Sequence, residues 1–367
     1  MNNDNTRAVF DNDHDAFRES VRHFLRAEVE PHLDGWRSAN GAPADFYRCA
    51  GKEGLLGTAA PERFGGGGVD DLRFVAVLVE ETAALGATGL AHLLALHSGV
   101  VLPALLRHGS EEACATWLPD MVAGERLAVP LGAGKPAEAT SEDGRVLLHG
   151  HVDGVAGGAC AGILLTAVSG EDEPRLTVLS GDTSGLIRSP VADALGGRES
   201  AQADVTLGAV EVGRADSLGT GAWAELTRDL DLWSAVTAMA SARSVIAITL
   251  RYVAERQVFG RPLAQFENTR HRLAEVAARL SATELLVDSC LVARCENRLT
   301  AAAAATACLE AGALHDEAVD RGLQLHGGYG YMREYPISHA FADAQYLRQQ
   351  EHLVADARDL IAAGLGL

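Results

Sequence analysis

The residue types and spacings best suited to chemistry lie near the C-terminus, in the stretch from Arg321 to His352. There an amphipathic helical pattern ends at His326, and the pair Gly327 and Gly328 interrupts the chain. Glycine pairs remove the Cβ where a second backbone or a phosphate must approach closely. A new helical pattern then leads to Glu351. Taken alone, this pattern is most simply a helix cap followed by a solvated glutamate.

Two pairs of histidines also have spacings that could support chemistry. His92 and His97 lie five residues apart in a very apolar helical run, and His149 and His151 flank Gly150 in a segment with strand character. A catalytic pair is conceivable in the helix, but histidines of a packed core with satisfied hydrogen bonds explain the same pattern more simply. We therefore predict that His92 and His97 are structural residues of the core or of an interface.

The elements that must position these residues change their hydrophobic period twice along the chain. Apolar residues recur at helical spacing up to about residue 126, short alternating runs follow from Leu127, and the helical period returns at about Trp223. The pattern predicts a mostly α protein with an inserted β domain. Its predicted parts are a helical N-terminal domain (1–126), a small β-barrel middle domain (127–217) and a C-terminal four-helix bundle (218–367).

Composition restricts the partners and the compartment. With 31 basic and 50 acidic residues, the net charge of -19 argues against nucleic acid and anionic membrane surfaces. We see neither a basic, apolar N-terminal signal nor an apolar run that approaches a membrane span. The cysteines lack metal-ligand spacing, so we expect no metal and a cytoplasmic protein with reduced thiols. They are Cys49, Cys114, Cys160, Cys290, Cys295 and Cys308.

The order of motifs along the chain resembles the acyl-CoA dehydrogenase family. The C-terminal stretch matches its signature of Gln, Gly-Gly-x-Gly-Tyr, Tyr-Pro and Asp-Ala, with a Glu eight residues after the Asp; here these last two are Asp343 and Glu351. A second motif is the R-x-x-F-G of Arg256, Phe259 and Gly260. The resemblance covers nearly the whole chain but is specific only over residues 251–351.

This resemblance implies FAD as the cofactor and an acyl thioester as the substrate, presented by CoA or by a carrier protein. It implies that Arg256 reaches the FAD pyrophosphate across a subunit interface in a homodimer or homotetramer. A guanidinium fork suits phosphate oxygens, although a cation at a helix end also complements the helix dipole. The remaining cofactor-binding residues implied by the motifs are Phe259, Gln324, Gly327 and Gly328.

The catalytic base implied by the resemblance is Glu351, which would remove the α-proton while hydride passes from the β-carbon to the flavin. Some family members carry the base on an earlier helix, which places the reserve candidate at Asp231. Nearby Asp229 fits a solvated partner of Arg228. The sequence leaves the electron acceptor open.

The middle of the chain departs from the family pattern where members hold the flavin ring. The family's Trp and Thr of this loop correspond by register to Gly154 and Ala156. Two functions are therefore compatible with the sequence. One is a flavin-dependent dehydrogenase with an open flavin face. The other is a relative with weak or lost FAD binding that performs non-redox chemistry (elimination, isomerisation or cyclisation) or serves as a scaffold.

Overall fold

The N-terminal third of the chain is helical, as its apolar spacing predicts. The computed structural model describes residues 7–132, 136–142, 145–169, 174–213, 216–350 and 354–367. The first helices are α1 (Asn12–Glu28), α2 (Leu33–Ala39), α3 (Ala44–Lys52), α4 (Arg73–Ala84), α5 (Thr88–Leu94), α6 (Leu102–His108) and α7 (Glu111–Val122). Helix α2 was not predicted, because its seven residues bury only Leu33 and Trp36 and show too little periodicity.

Helices α5 and α6 are two parts of one continuous helix. A π-helical turn, Ala95–Val101, joins them, so that helical structure runs unbroken from Thr88 to His108. Gly99 lies in this turn against Trp233, where a Cβ would come within 2.2 Å of the indole ring. Only glycine allows this close approach of the two helices.

The middle of the chain forms two open sheets. Its strands are β1 (Ala128–Leu131), β2 (Glu138–Glu142), β3 (Arg145–Val155), β4 (Ile163–Val168), β5 (Arg175–Ser180), β6 (Leu186–Pro190) and β7 (Ala203–Val212). One sheet has the order β1-β4-β5, with β1 parallel to β4, and the other has the antiparallel order β2-β3-β7-β6. A short bridge between Ala137 and Val168 links them.

The predicted β-barrel is therefore wrong in one respect, since the described strands form no closed barrel. Closure would require ladder hydrogen bonds between the outer strands of the two sheets, whereas only the single bridge between Ala137 and Val168 joins the sheets in the described part of the chain. The two boundaries between the three domains drawn from the sequence remain a prediction.

The rest of the chain returns to long helices. They are α8 (Ala222–Glu255), α9 (Glu267–Cys295), α10 (Ala301–His326), α11 (Pro336–Gln350) and α12 (Val354–Gly364), with a small hairpin of β8 (Gln257–Val258) and β9 (Arg261–Pro262) after α8. Helix α10 packs against α8, α9, α11 and α12, and forms the centre of this helical bundle.

A buried ion pair ties α9 to α8. The Arg294 guanidinium contacts both oxygens of Asp229, from Nε to Oδ1 and from Nη2 to Oδ2, at 2.6 Å each. Both side chains are 1% exposed. The expectation that Asp229 is solvated is therefore wrong, although Arg228 Nε does lie 3.8 Å from its Oδ1. An unpaired carboxylate at this depth would carry a large desolvation cost.

Two helical segments are long and apolar enough to span a membrane, contrary to the prediction from hydropathy. They are Thr88–His108 and Ala222–Glu255. However, 94% and 72% of their apolar windows are buried inside the protein. This is the burial expected of central helices in a folded core.

Candidate active site

The turn after α10 has the geometry predicted from the glycine pair. Gly327 takes the left-handed φ of +57°, which glycine adopts without strain. The carbonyl of the preceding His326 accepts a hydrogen bond from Tyr252 Oη at 3.2 Å, and the two rings stack at 3.9 Å between centroids. A Cβ on Gly327 or Gly328 would meet nothing within 4 Å, so the described part of the chain leaves this turn open to a ligand or a partner.

Arg256 lies beside this turn at the end of α8. Its guanidinium carbon is 5.2 Å from the centre of the Tyr329 ring. Among the described residues it has no ion pair, unlike the buried Arg294, and it is exposed. An unpaired, exposed guanidinium next to a bare glycine turn forms a suitable site for a phosphate.

The structure brings together only some of the predicted cofactor residues. Gln324 is exposed on the last turn of α10, one turn before the glycine pair, so that it shares the region of Arg256. Phe259 is at the tip of the β8–β9 hairpin with a φ of +49° and is 94% exposed. No contact of Phe259 with the turn is present in the described residues.

A cavity of about 330 Å³ lies where the sequence departs from the family's flavin-ring loop. It is bounded by Gly154 near the end of β3, by Asp204 of β7 and by Tyr346 and Gln349 of α11. Asp204 Oδ1 accepts a hydrogen bond of 2.8 Å from the Gly154 N–H. Gln350 Nε2 donates one of 2.8 Å to the Gly154 carbonyl, and so fixes the end of α11 against the β region. We call this space the Gly154 cavity.

The glycine-rich replacement of the loop faces two environments. Gly154, which has no side chain and takes a φ of +61°, lines the cavity. Ala156, in contrast, is 2% exposed, and a Cβ on Gly157 would lie 2.8 Å from Leu93 and Val129. The replaced Trp position therefore opens the cavity, whereas the replaced Thr position belongs to the packed core.

The two candidate bases differ in what the structure describes of them. Glu351 lies outside the described residues; the last described residues before it, Gln349 and Gln350, contact the Gly154 turn. Asp231 is 1% exposed in the interior of α8 and lines neither this cavity nor the one described below.

The histidines of the apolar helix are structural in the way predicted. His97 Nδ1 accepts a hydrogen bond of 3.0 Å from the Ala128 N–H, and Nε2 donates to the Met121 carbonyl at 3.2 Å. Burial lowers the pKa of His97 to about 4, so the ring is neutral. His92 is equally buried, with its pKa lowered to about 4 by burial, and its Nδ1 is 2.8 Å from Tyr346 Oη.

A buried acidic pair joins the three regions of the chain, and the sequence analysis did not identify it. Asp343 of α11 accepts a hydrogen bond of 2.8 Å from the Gly197 N–H, and Glu199 accepts one of 3.1 Å from the Gly89 N–H. Arg37 Nε is 3.8 Å from Glu199 and its Nη2 is 4.0 Å from Asp343. Burial and the Glu199 charge raise the pKa of Asp343 to about 8. Contacts this distant in sequence leave no local periodic signal.

Comparison with known proteins identifies the group to which this architecture belongs. The family model described as acyl-CoA dehydrogenase, N-terminal domain, matches residues 11–125, and the model described as acyl-CoA dehydrogenase, C-terminal domain, matches residues 232–351. The mitochondrial long-chain specific acyl-CoA dehydrogenase of Sus scrofa is 31% identical, over 92% of this chain and 83% of the relative. A 3-(aryl)acrylate reductase of Clostridium sporogenes is 25% identical, over 97% and 99% of the two chains.

The solved structures agree on the fold. An acyl-CoA dehydrogenase from Geobacillus kaustophilus has a TM-score of 0.91 at 24% identity, with 98% of this chain and 100% of the other covered. Fold and matched motifs together define the protein as an FAD-dependent oxidoreductase. It belongs to the acyl-CoA dehydrogenase family, because the two models and the long-chain relative cover most of its length.

The residues present fit FAD at both ends. At the pyrophosphate end, an exposed Arg256 without a carboxylate partner lies beside a glycine turn that leaves room for a ligand. At the ring end, the Gly154 cavity offers the amide of Gln349 and the carboxylate of Asp204. Its volume of about 330 Å³ lies within the range of small-molecule sites. The indole and hydroxyl that the family uses there are absent, so the ring has fewer side-chain contacts.

Proposed function

We propose that the protein catalyses the α,β-dehydrogenation of an acyl thioester carried by CoA or by a carrier protein. The observation that carries this proposal is the position of the Gly154 cavity, which the end of α11 closes through Gln349 and Gln350 immediately before Glu351. Glu351 is the next residue in the sequence after this contact. Bound FAD supplies the acceptor for the hydride that leaves the β-carbon.

The roles of the chain's own residues follow from this arrangement. Arg256 and the Gln324–Gly328 turn bind the pyrophosphate side of the cofactor. Glu351 takes the α-proton, so that the C–H electron pair forms the new double bond as the β-hydride departs. Tyr346 and His92, both buried and joined at 2.8 Å, position α11.

A Glu351→Gln substitution tests the assignment of the base. The amide preserves size and polarity but cannot accept the proton, so we expect acyl thioester binding to survive and kcat to fall by at least about a hundredfold. Asp231→Asn is the matched control and should retain turnover. Anaerobic bleaching of the flavin by a panel of acyl thioesters measures the reaction directly.

Three results would contradict parts of this proposal. Normal turnover in Glu351→Gln together with lost turnover in Asp231→Asn would place the base on α8. Purified protein without stoichiometric FAD would remove the redox function and favour elimination, isomerisation or cyclisation on the same acyl group. Stoichiometric FAD that no acyl thioester bleaches would exclude this substrate class.

A further inference from the structure

A second cavity, of about 310 Å³, is lined by the start of α11, whereas the Gly154 cavity is lined by its end, and the two share no lining residue. The other elements that line it are α2, the turn between α4 and α5 and the C-terminal half of α8. Three arginines line it: Arg37, Arg251 and Arg333. We call it the arginine cavity. Arg256 does not line it, so it is separate from the glycine turn.

Of the three arginines, Arg37 has carboxylates nearby, at 3.8 Å from Glu199 and 4.0 Å from Asp343. Within the described part of the chain, Arg251 and Arg333 have no carboxylate within 4.0 Å. The acidic residues of the lining are Asp34 and Glu334, and the Asp34 side chain is 95% exposed and only 3.6 Å from Arg37. Arg251 and Arg333 are exposed, so both guanidinium groups are open to a ligand from solvent. The protein has a net charge of -19, so an arginine-lined cavity is a local region of positive charge on a negatively charged molecule.

Other groups in the cavity fit the same interpretation. Arg37 is held in place by a hydrogen bond of 2.6 Å from its Nη2 to the Gly86 carbonyl. His339 also lines the cavity, and its pKa is lowered by burial first and by the charges of Arg37 and Arg333 as well. Burial and the two guanidinium charges thus both disfavour the imidazolium form, and an incoming anion would offset the effect of the charges.

The remaining surface of the cavity provides hydroxyls and apolar groups. Ser241 of α8 is buried and shares a hydrogen bond of 3.1 Å with Thr88, and Ser244 is one turn further along. Val245 and Ile248 present apolar surface beside them. A ligand that matches this lining carries negative charge at one end and a short apolar body at the other.

We propose that the arginine cavity binds a small organic anion, with a phosphate or carboxylate headgroup held by Arg251 and Arg333 and a compact apolar body against α8. Guanidinium groups bind both headgroups through paired N–H donors, and a phosphate offers them more acceptors. This site is independent of the acyl thioester and of the FAD phosphates.

Calorimetric titration of the FAD-loaded protein with phenyl phosphate and, separately, with benzoate tests this proposal. We expect saturable binding of one or both probes with a stoichiometry of about one per chain. Arg251→Gln and Arg333→Gln should each weaken that binding by about tenfold or more, as expected for the loss of one charge-assisted contact. Tighter binding of phenyl phosphate than of benzoate identifies the headgroup as phosphate, and the reverse order identifies it as carboxylate.

Arg26→Gln is the matched control, because Arg26 is an exposed arginine of α1 without an ion pair among the described residues. It removes the same charge far from the cavity and should leave binding unchanged. Equal weakening in Arg26→Gln would show general electrostatic attraction and overturn the proposal. The absence of saturable binding of either probe would also overturn it, as would binding that depends on Arg256 instead of Arg251 and Arg333.

Discussion

At the scale of single residues, Arg256 is distinguished because no carboxylate among the described residues pairs with it. Many arginines of this chain pair with carboxylates, as Arg294 does with Asp229 in the core. Arg256 instead contacts the Tyr329 ring at 5.2 Å and faces outward beside a turn without side chains. A permanent charge kept available in this way is suited to a ligand with its own negative charge.

We predict that Arg256→Ala weakens FAD binding without destabilising the fold. Loss of one charge-assisted phosphate contact should cost on the order of 1.5–3 kcal/mol, or about ten- to a hundredfold in Kd. Fluorescence titration of the apoprotein with FAD gives the affinity. The control is Arg261→Ala, which removes another exposed arginine of the same hairpin, one that packs on Phe266 at 4.1 Å. Equal FAD affinity in wild type and Arg256→Ala would show that the motif no longer binds the cofactor.

Sequence analysis identified single residues where chemistry depends on a local motif. The Gly327 turn and Arg256 were predicted because glycine and arginine have distinctive geometric roles within short motifs. Arg37, Arg251 and Arg333 were not, because they come from three separate parts of the chain and meet only after folding. No periodicity or short motif brings such residues together.

At the scale of elements, α11 links the two cavities. Its start contributes to the arginine cavity and its end to the Gly154 cavity. Between them, Asp343 is buried next to Glu199, where a Cβ on Gly196 would lie 2.0 Å from the Ala342 carbonyl. Both carboxyl groups are buried, so protonation and Arg37 control the charge of the pair.

We predict that this pair makes stability fall as the pH rises. The pKa of Asp343 is about 8 in the folded state, raised by burial first, and is near 4 when the chain is unfolded. The folded state therefore binds the extra proton between these values, and each unit of pH in that window costs up to about 1.4 kcal/mol. Thermal unfolding at pH 5, 6.5 and 8 should show a decline in midpoint that is largely absent in Asp343→Asn.

The asparagine keeps an acceptor for the Gly197 N–H but carries no charge, and so imitates the protonated acid. Asp193→Asn, at an exposed position, is the control and should retain the decline. Parallel pH profiles for wild type and Asp343→Asn would contradict the raised pKa.

The predictability of elements depends on their burial pattern. The long helices α8, α9 and α10 and the buried strands β4, β5 and β7 were predicted because their apolar residues recur regularly. Strand β6, with no buried residue, and the short helix α2 give no comparable signal. The open arrangement of the sheets follows from pairings between distant strands, which composition does not specify.

At the scale of the whole molecule, exposed apolar side chains collect near the cofactor turn. Phe259 is 94% exposed, Tyr331 is 92% exposed and Met332 is 45% exposed. They lie on the β8–β9 hairpin and on the segment after α10, next to Arg256. Large apolar side chains this exposed are typical of surfaces that a second chain covers.

We predict that the protein is a homodimer or a homotetramer with this surface at a subunit interface. Light scattering at micromolar concentration should give twice or four times the mass of the 38.5 kDa chain. Phe259→Asp combined with Tyr331→Asp should shift the distribution toward monomer, because two carboxylates would be desolvated at the contact. A monomeric wild-type protein at that concentration would contradict the assembly.

The π-helical turn in Thr88–His108 sets the direction in which the side chains of the rest of this helix point. A π turn accommodates one residue more than an α turn, so the helix beyond Val101 is rotated by about 100° relative to a continuous α-helix. That rotation directs Arg107 and His108 to Glu225, at 3.1 and 3.0 Å. Deletion of one residue from the turn would restore uniform winding and move both contacts to the wrong side. We therefore expect that this helix tolerates no insertion or deletion of a single residue, even though its alanine, leucine and valine residues could be exchanged for one another in many helices.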